Sequence, residues 1–340
     1  MHTLRKRSLK EVLVWTRKDI FSLLIISAIP TVVYQIFHWK WLSIPWVPIA
    51  LIGTAVAFLI GFKNNASYDR AWEARKIWGG IVNSSRTWAI MTKDFVMNFT
   101  SESILTEQEL HKIHLTLVNR HIAWMTALRY QLREPKNWEA MHQSYNKEFQ
   151  KSYYQIEEHT MQLEDALKPY LNKEELKKVM NKSNRAASII ALQSTHLKEL
   201  YKGGLLESFR HMEMQNVLQE LFNLEGQSER IKNFPYPRQF STMNHWYIRI
   251  FSILLPFGML QEFEKIGSEY VWLTIPFAVL VSWIFSTMEK IGEASENPFE
   301  GSANDTPITS MSRGIEIDLL EIIDEPHNLK PIKDSNGILT

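Results

Sequence analysis

Cysteine is absent from all 340 residues. That excludes disulfide scaffolds, cysteine-ligated zinc, thiol nucleophiles and iron–sulfur clusters. An excess of charge of either sign is missing too: 38 Lys and Arg stand against 37 Asp and Glu, a net charge of +1. So even a balance argues against a nucleic-acid partner held by bulk positive charge. Walker A, GxGxxG, HExxH and GxSxG patterns do not occur. His111 and His114 stand three apart without the carboxylate that would complete a metal site. Nothing compels an enzyme or a cofactor. Strand-like alternation and internal repeats are also lacking.

What is present is strongly segregated. Mean hydropathy is −0.21, ordinary for a soluble chain, yet 12 Trp, 17 Phe and 13 Met are a heavy apolar load. Charges crowd into residues 101–240, whereas 20–39, 46–62 and 271–288 contain none. About 20 residues of helix cross a hydrocarbon core, so these runs are membrane-span candidates. The sequence predicts an all-α integral membrane protein with a large water-facing part.

Six basic residues, Arg5, Lys6, Arg7, Lys10, Arg17 and Lys18, precede the first run. That run is long, holds Gln35 and His38 and lacks a small-residue cleavage site, so it reads as a retained span rather than a signal peptide. Trp39, Trp41 and Trp46 mark a membrane exit at residues 40–45. The run 46–62 carries Gly53, Thr54, Ala55 and Ala57, small residues that let helices approach closely. No Gly/Pro stop follows, and the second helix is expected to continue into water. Residues 100–235 read as long amphipathic helices, with apolar spacing at Leu110, Ile113, Leu117, His121 and Trp124 and breaks at 133–135, 168–171, 203–204 and 233–237.

A third apolar segment, 246–260, is short and contains Arg249, which can snorkel to the near interface. Residues 271–288 form the fourth span. The expected division is 1–99 for the basic start and spans 1 and 2 with an extension, 100–240 for a helical region, 241–290 for spans 3 and 4, and 291–340 for a tail wrapping the body. Basic residues at the N-terminus and at 63–76, against few at 40–45 and 261–270, put both termini and residues 63–240 in the cytoplasm. Asp69 and Glu73 lie i, i+4, suited to acid–base or cation chemistry; salt bridging with Arg70, Arg75 or Lys76 is the plainer expectation.

The most distinctive stretch runs Gly61-Phe62-Lys63-Asn64-Asn65 to Trp72-Glu73-Ala74-Arg75 and Trp78-Gly79. With Leu254-Leu255-Pro256-Phe257, and with Glu289, Glu293, Glu296 and Asn297-Pro298-Phe299 after the last span, it resembles the bestrophin family, particularly its prokaryotic branch. The resemblance covers roughly residues 8–320. It implies a homopentameric ring in the lipid bilayer with one central pore for inorganic ions, either chloride and other small anions or monovalent cations. It carries a hydrophobic neck onto Val47, Leu51 and Ala55, with Thr54 or Phe58 on the adjacent stripe as the alternative ring. Lys63, Asn64, Asn65, Asp69 and Glu73 become candidates to flank the path. A second constriction is expected near residues 205–208. The family's calcium clasp would fall on Glu300 and Asp305, two carboxylates where calcium wants six to eight oxygens, so no metal is expected. A membrane-anchored scaffold or signalling protein and a secondary transporter are the other readings; the inverted repeats of a transporter are not visible.

Overall fold

A computed structural model describes residues 1–4, 9–100 and 104–340. The basic residues Arg5, Lys6 and Arg7 lie outside the described residues. The described chain is helical, with isolated bridges joining His2 and Ser335 to Ile338 as its only β pairing.

Helix α1 spans Leu9–Ile36 and α2 spans Trp46–Phe95. At 1.5 Å per residue the 50 residues of α2 rise about 75 Å. Such a length crosses a bilayer and continues well beyond it, as the lack of a stop after residue 62 predicts. Helix α3 (Glu107–Arg133) opens on a capping box in which Thr106 and Glu109 satisfy each other's backbone amides. Short helices α4 (Ser144–Tyr153), α5 (Glu157–Thr160), α6 (Leu163–Leu167) and α7 (Lys173–Met180) follow, then α8 (Arg185–Lys202) and α9 (Ser208–Asn233). The four expected breaks are present, but further breaks at 154–156, 161–162 and 181–184 make short helices where the sequence predicts long ones; after α8 the chain turns through Gly204 at φ +72°, a conformation suited to glycine.

Helix α10 (Arg238–Glu264) and α11 (Thr274–Glu296) return along the first part of α2. The third apolar segment is therefore part of a 27-residue helix, longer than its apolar run suggests. By length and composition α1, the 40–95 segment and the 268–296 segment suit a membrane crossing; α10 lies packed among them. Glycines set the crossing distances. A Cβ on Gly53 would sit 2.8 Å from Phe251, and one on Gly258 would sit 2.6 Å from Ile49. Hence α2 and α10 touch backbone to side chain.

Among the described residues the two larger apolar interiors both involve α2. Ile49, Val56 and Ile60 of α2 meet Ile248, Phe251 and Leu255 of α10 and Ala278 of α11. Farther along α2, Trp78, Ile81 and Trp88 are buried with Trp124, Leu128, Leu221 and Leu319 in the helical body. Helix α12 (Ile308–Ile322) packs on α2 and α3, a helix the sequence pattern did not announce. The end of the tail pairs with the start of the chain: Thr3 N donates to Gly337 O and Leu339 N to Met1 O.

Candidate functional site

In its first half α2 buries one face and exposes the other. Ile49, Gly53, Val56, Ile60, Lys63 and Ser67 are buried, at the spacing of one helix face. Val47, Leu51, Thr54, Ala55, Phe58 and Phe62 are exposed on the opposite face, followed by Asn65 and Asp69. Leu51 is 67 % exposed and Phe58 66 %. Of the small residues 53–57, then, only Gly53 is used within the chain; Thr54, Ala55 and Ala57 face outward. The Thr54 hydroxyl donates back to Ala50 O at 3.0 Å, which hides part of its polarity and leaves the stripe apolar.

Lys63 does not join that stripe. It follows Phe62 by about 100° around the helix and points inward, 2 % exposed. There it lies 3.5 Å from Glu296 and donates to Ser241 Oγ at 3.4 Å. Asn64 is half-buried and donates to Met288 O at 3.2 Å. Glu73 is taken by Arg230 of α9 at 3.2 Å, not by Arg70, Arg75 or Lys76. Arg70 instead donates to the Glu296 and Ile231 carbonyls at 2.9 and 3.1 Å. Asn65 and Asp69 are exposed on the outward face, and Glu73, one turn on, keeps a half-exposed side chain beside Arg230.

Two polar layers bound the four-helix part. At the end toward the helical body, Asp19 pairs with Lys290, His245 with Glu289 at 3.4 Å, and Lys63 with Glu296. At the other end, Tyr34 and Lys40 both reach Glu264, and Gln35 donates to Ser268 O at 3.1 Å. Among the described residues between the layers, Arg249 is a charged side chain, exposed near the Trp246 ring, and Glu262 lies beside the outer layer. An uncharged slab closed by polar belts is the pattern a hydrocarbon core requires.

The loop after α11 is held by one carboxylate. Asp305 Oδ1 accepts from Phe299 N and Thr306 N at 2.8 and 2.6 Å. Its Oδ2 accepts from Gly301 N at 2.8 Å and from Arg133 at 2.7 Å. Asp305 is thereby committed to shaping the segment after Asn297-Pro298-Phe299, a role that no spacing in the sequence reveals. Glu300 is buried beside it; desolvation, then Glu139 and Asp305, push its carboxyl well above the usual range. A neutral carboxyl is a poor calcium ligand. Among the described residues no group of three or more His, Asp or Glu is placed to hold a metal. His111 and His114 part company, one to Glu325 at 2.6 Å and the other to Val96 O at 2.8 Å.

Near the expected second constriction Leu205 and Leu206 are core residues, and Glu207 caps α9. Phe209 and Met212, just beyond, are the exposed apolar side chains of this stretch.

The pattern of the family described as Bacterial/Fungal Bestrophin protein matches residues 7–321. A voltage-dependent anion channel-forming protein of Ralstonia nicotianae is 30% identical over 295 residues, 85% of this chain and 82% of the relative. One of the same description from Escherichia coli K12 is 26% identical over 278 residues, 82% of this chain and 77% of the relative. A bacterial bestrophin homologue from Klebsiella pneumoniae has a similar fold, with TM-score 0.74 and 23% identity, covering 92% of this chain and 99% of that one.

Proposed function

This chain belongs to the bacterial and fungal bestrophin family, and from that membership we propose that it forms a passive anion channel, a homopentamer whose five α2 helices surround one pore. The observation that carries the reading is the exposed apolar stripe of α2, set opposite a fully used packing face. An uncharged helix face of this kind, repeated around an axis, makes a narrow dry neck that passes ions by wetting. Val47, Leu51 and Ala55 form that neck, with Thr54 and Phe58 on its flank. Asn65 and Asp69 follow as polar rings at its inner mouth.

We read α1, the first part of α2, α10 and α11 as four spans, with both termini and residues 63–240 in the cytoplasm. The bias of Lys and Arg toward that end supports the orientation. Residues 1–99, 100–240, 241–290 and 291–340 then serve as spans 1 and 2 with an extension, helical body, spans 3 and 4, and tail. Anions are favoured over cations because the relatives' descriptions name anions.

Planar-bilayer recording of the purified protein under asymmetric KCl tests this. Step-like currents reversing near the chloride equilibrium potential are expected. Reversal near the potassium potential would reassign the channel to cations. Saturable substrate-coupled flux would favour a transporter, and silence a scaffold. A stable monomer by mass measurement would overturn the ring.

A further inference from the structure

The exposed face of α1 descends from Ile29 through Ile25, Leu24 and Phe21 to Arg17 and Lys18, then to Val14, Leu13 and Lys10. A stripe of large apolar side chains thus runs without a break into a pair of cations. Because α1 packs mainly on α10 and α11, this face lies at the edge of the bundle. Helix α4 is fixed against the same end of α1. Trp15 meets Tyr145 edge-on with ring centroids 6.3 Å apart. The Tyr145 hydroxyl donates to Glu293 at 2.7 Å, and Lys290 lies 4.1 Å from the centre of the Tyr145 ring. Those contacts hold α4 at the polar layer that ends the uncharged slab.

Between α1 and α4 lies a groove of about 100 Å³. Val14, Trp15 and Phe149 give it an apolar lining; Arg17 and Lys18 give it a cationic rim. Glu148 lies among them, 3.2 Å from Arg17 and 2.9 Å from Lys18. Lys147 and Lys151, one helical turn apart, are exposed elsewhere on α4. Two cations therefore share one carboxylate, and Arg17 keeps donors beyond the one it gives to Glu148.

We propose that this groove seats the headgroup of an anionic phospholipid, with its phosphate on Arg17 and Lys18 and its chains along Phe21, Leu24 and Ile25. The cations alone would suit any phosphate. The apolar stripe leading into them commits the occupant to a lipid, since only an amphiphile uses both surfaces at once. This seat rests on α1 crossing the bilayer and not on conduction, so it stands or falls without any current being measured.

The test uses purified full-length protein in mild detergent, titrated with dioctanoyl phosphatidylglycerol and followed by thermal unfolding. A saturable rise in Tm is expected, smaller with dioctanoyl phosphatidylcholine and missing with glycerol phosphate. Arg17→Gln together with Lys18→Gln should weaken the apparent affinity about fivefold per cation removed. Glu148→Gln, which frees both cations, should tighten it by about the same factor. An equal rise with phosphatidylcholine, or with glycerol phosphate, would overturn the proposal. So would unchanged affinity in the double variant; where that variant does not fold, unchanged affinity in Glu148→Gln decides against it.

Discussion

Lys63 of α2 and Glu296 at the end of α11 face each other across 3.5 Å, their side chains only 3% and 1% exposed. Arg238 reaches the other oxygen of Glu296 at 2.8 Å. This buried cluster joins the start of α10 and the end of α11 to α2 where the apolar slab ends. It converts a lysine that the sequence offers to the pore into a structural tie.

Removing one partner of a buried pair costs up to about 3–5 kcal/mol, and less here because Arg238 still reaches Glu296. Lys63→Met should lower thermal stability by that smaller amount, and Lys63→Met with Glu296→Gln should recover much of it. Thermal unfolding in detergent reads both. A single variant with wild-type Tm would show that Lys63 has an outlet to water.

Leu51 and Ile60 sit on opposite faces of α2, one exposed and the other 2 % exposed. Leu51→Ala should leave the stability of the protomer within about 0.5 kcal/mol while raising conductance or open probability, because in the proposed pore it would widen the narrowest apolar ring. Ile60→Ala should instead cost about 2–5 kcal/mol through a packing cavity. Unchanged current in Leu51→Ala, with altered current in Thr54 or Phe58 variants, would rotate the pore face by one stripe.

Micromolar calcium should change neither current nor Tm, because Asp305 spends its carboxylate on three backbone amides and Arg133. Asp305→Ala should be strongly destabilising, by about 3–5 kcal/mol, since Arg133 loses its closest carboxylate partner in a buried site. An ordered calcium ion near Glu300, with calcium-dependent opening, would refute this assignment.

Stability of the helical body should depend on pH through Glu225. Its carboxyl is buried, accepts from Trp124 Nε1 at 2.7 Å, and is pushed up to about 7, chiefly by desolvation. A carboxyl raised in the folded state binds its proton more tightly there than when unfolded. It therefore stabilises the fold at low pH and withdraws that contribution as pH rises from about 4.5 to about 7. The loss amounts to roughly 3–4 kcal/mol at about 1.4 per pH unit. Burial pushes His121 and His196 down to about 3 and about 4, which tilts stability the opposite way below about 6.5. The difference between wild type and Glu225→Gln isolates the carboxyl: the variant should gain in Tm above pH 7 and lose that advantage near pH 4.5. A difference independent of pH would mean that Glu225 stays ionised.

Sequence alone determined the class of this protein. Uncharged runs of membrane length, basic residues at one end and Trp at the other follow from the cost of placing charge in hydrocarbon, a cost local to each segment. The same holds for the helix breaks at Arg133, Gly203 and Asn233, where turn residues act within a few positions. The ordered motifs around Trp72-Glu73-Ala74-Arg75 and Asn297-Pro298-Phe299 were enough to point to the family. Tertiary structure decided which side chains of one helix are free. Lys63 and Asn65 are near neighbours of similar polarity, yet one is buried against Glu296 and the other exposed, because α10 and α11 cover only one face of α2. Helix α12 and the Asp305 loop likewise form through partners more than 150 residues away in sequence, Arg133 among them. Such pairings depend on which faces meet when the helices pack, and no local pattern along the chain encodes them.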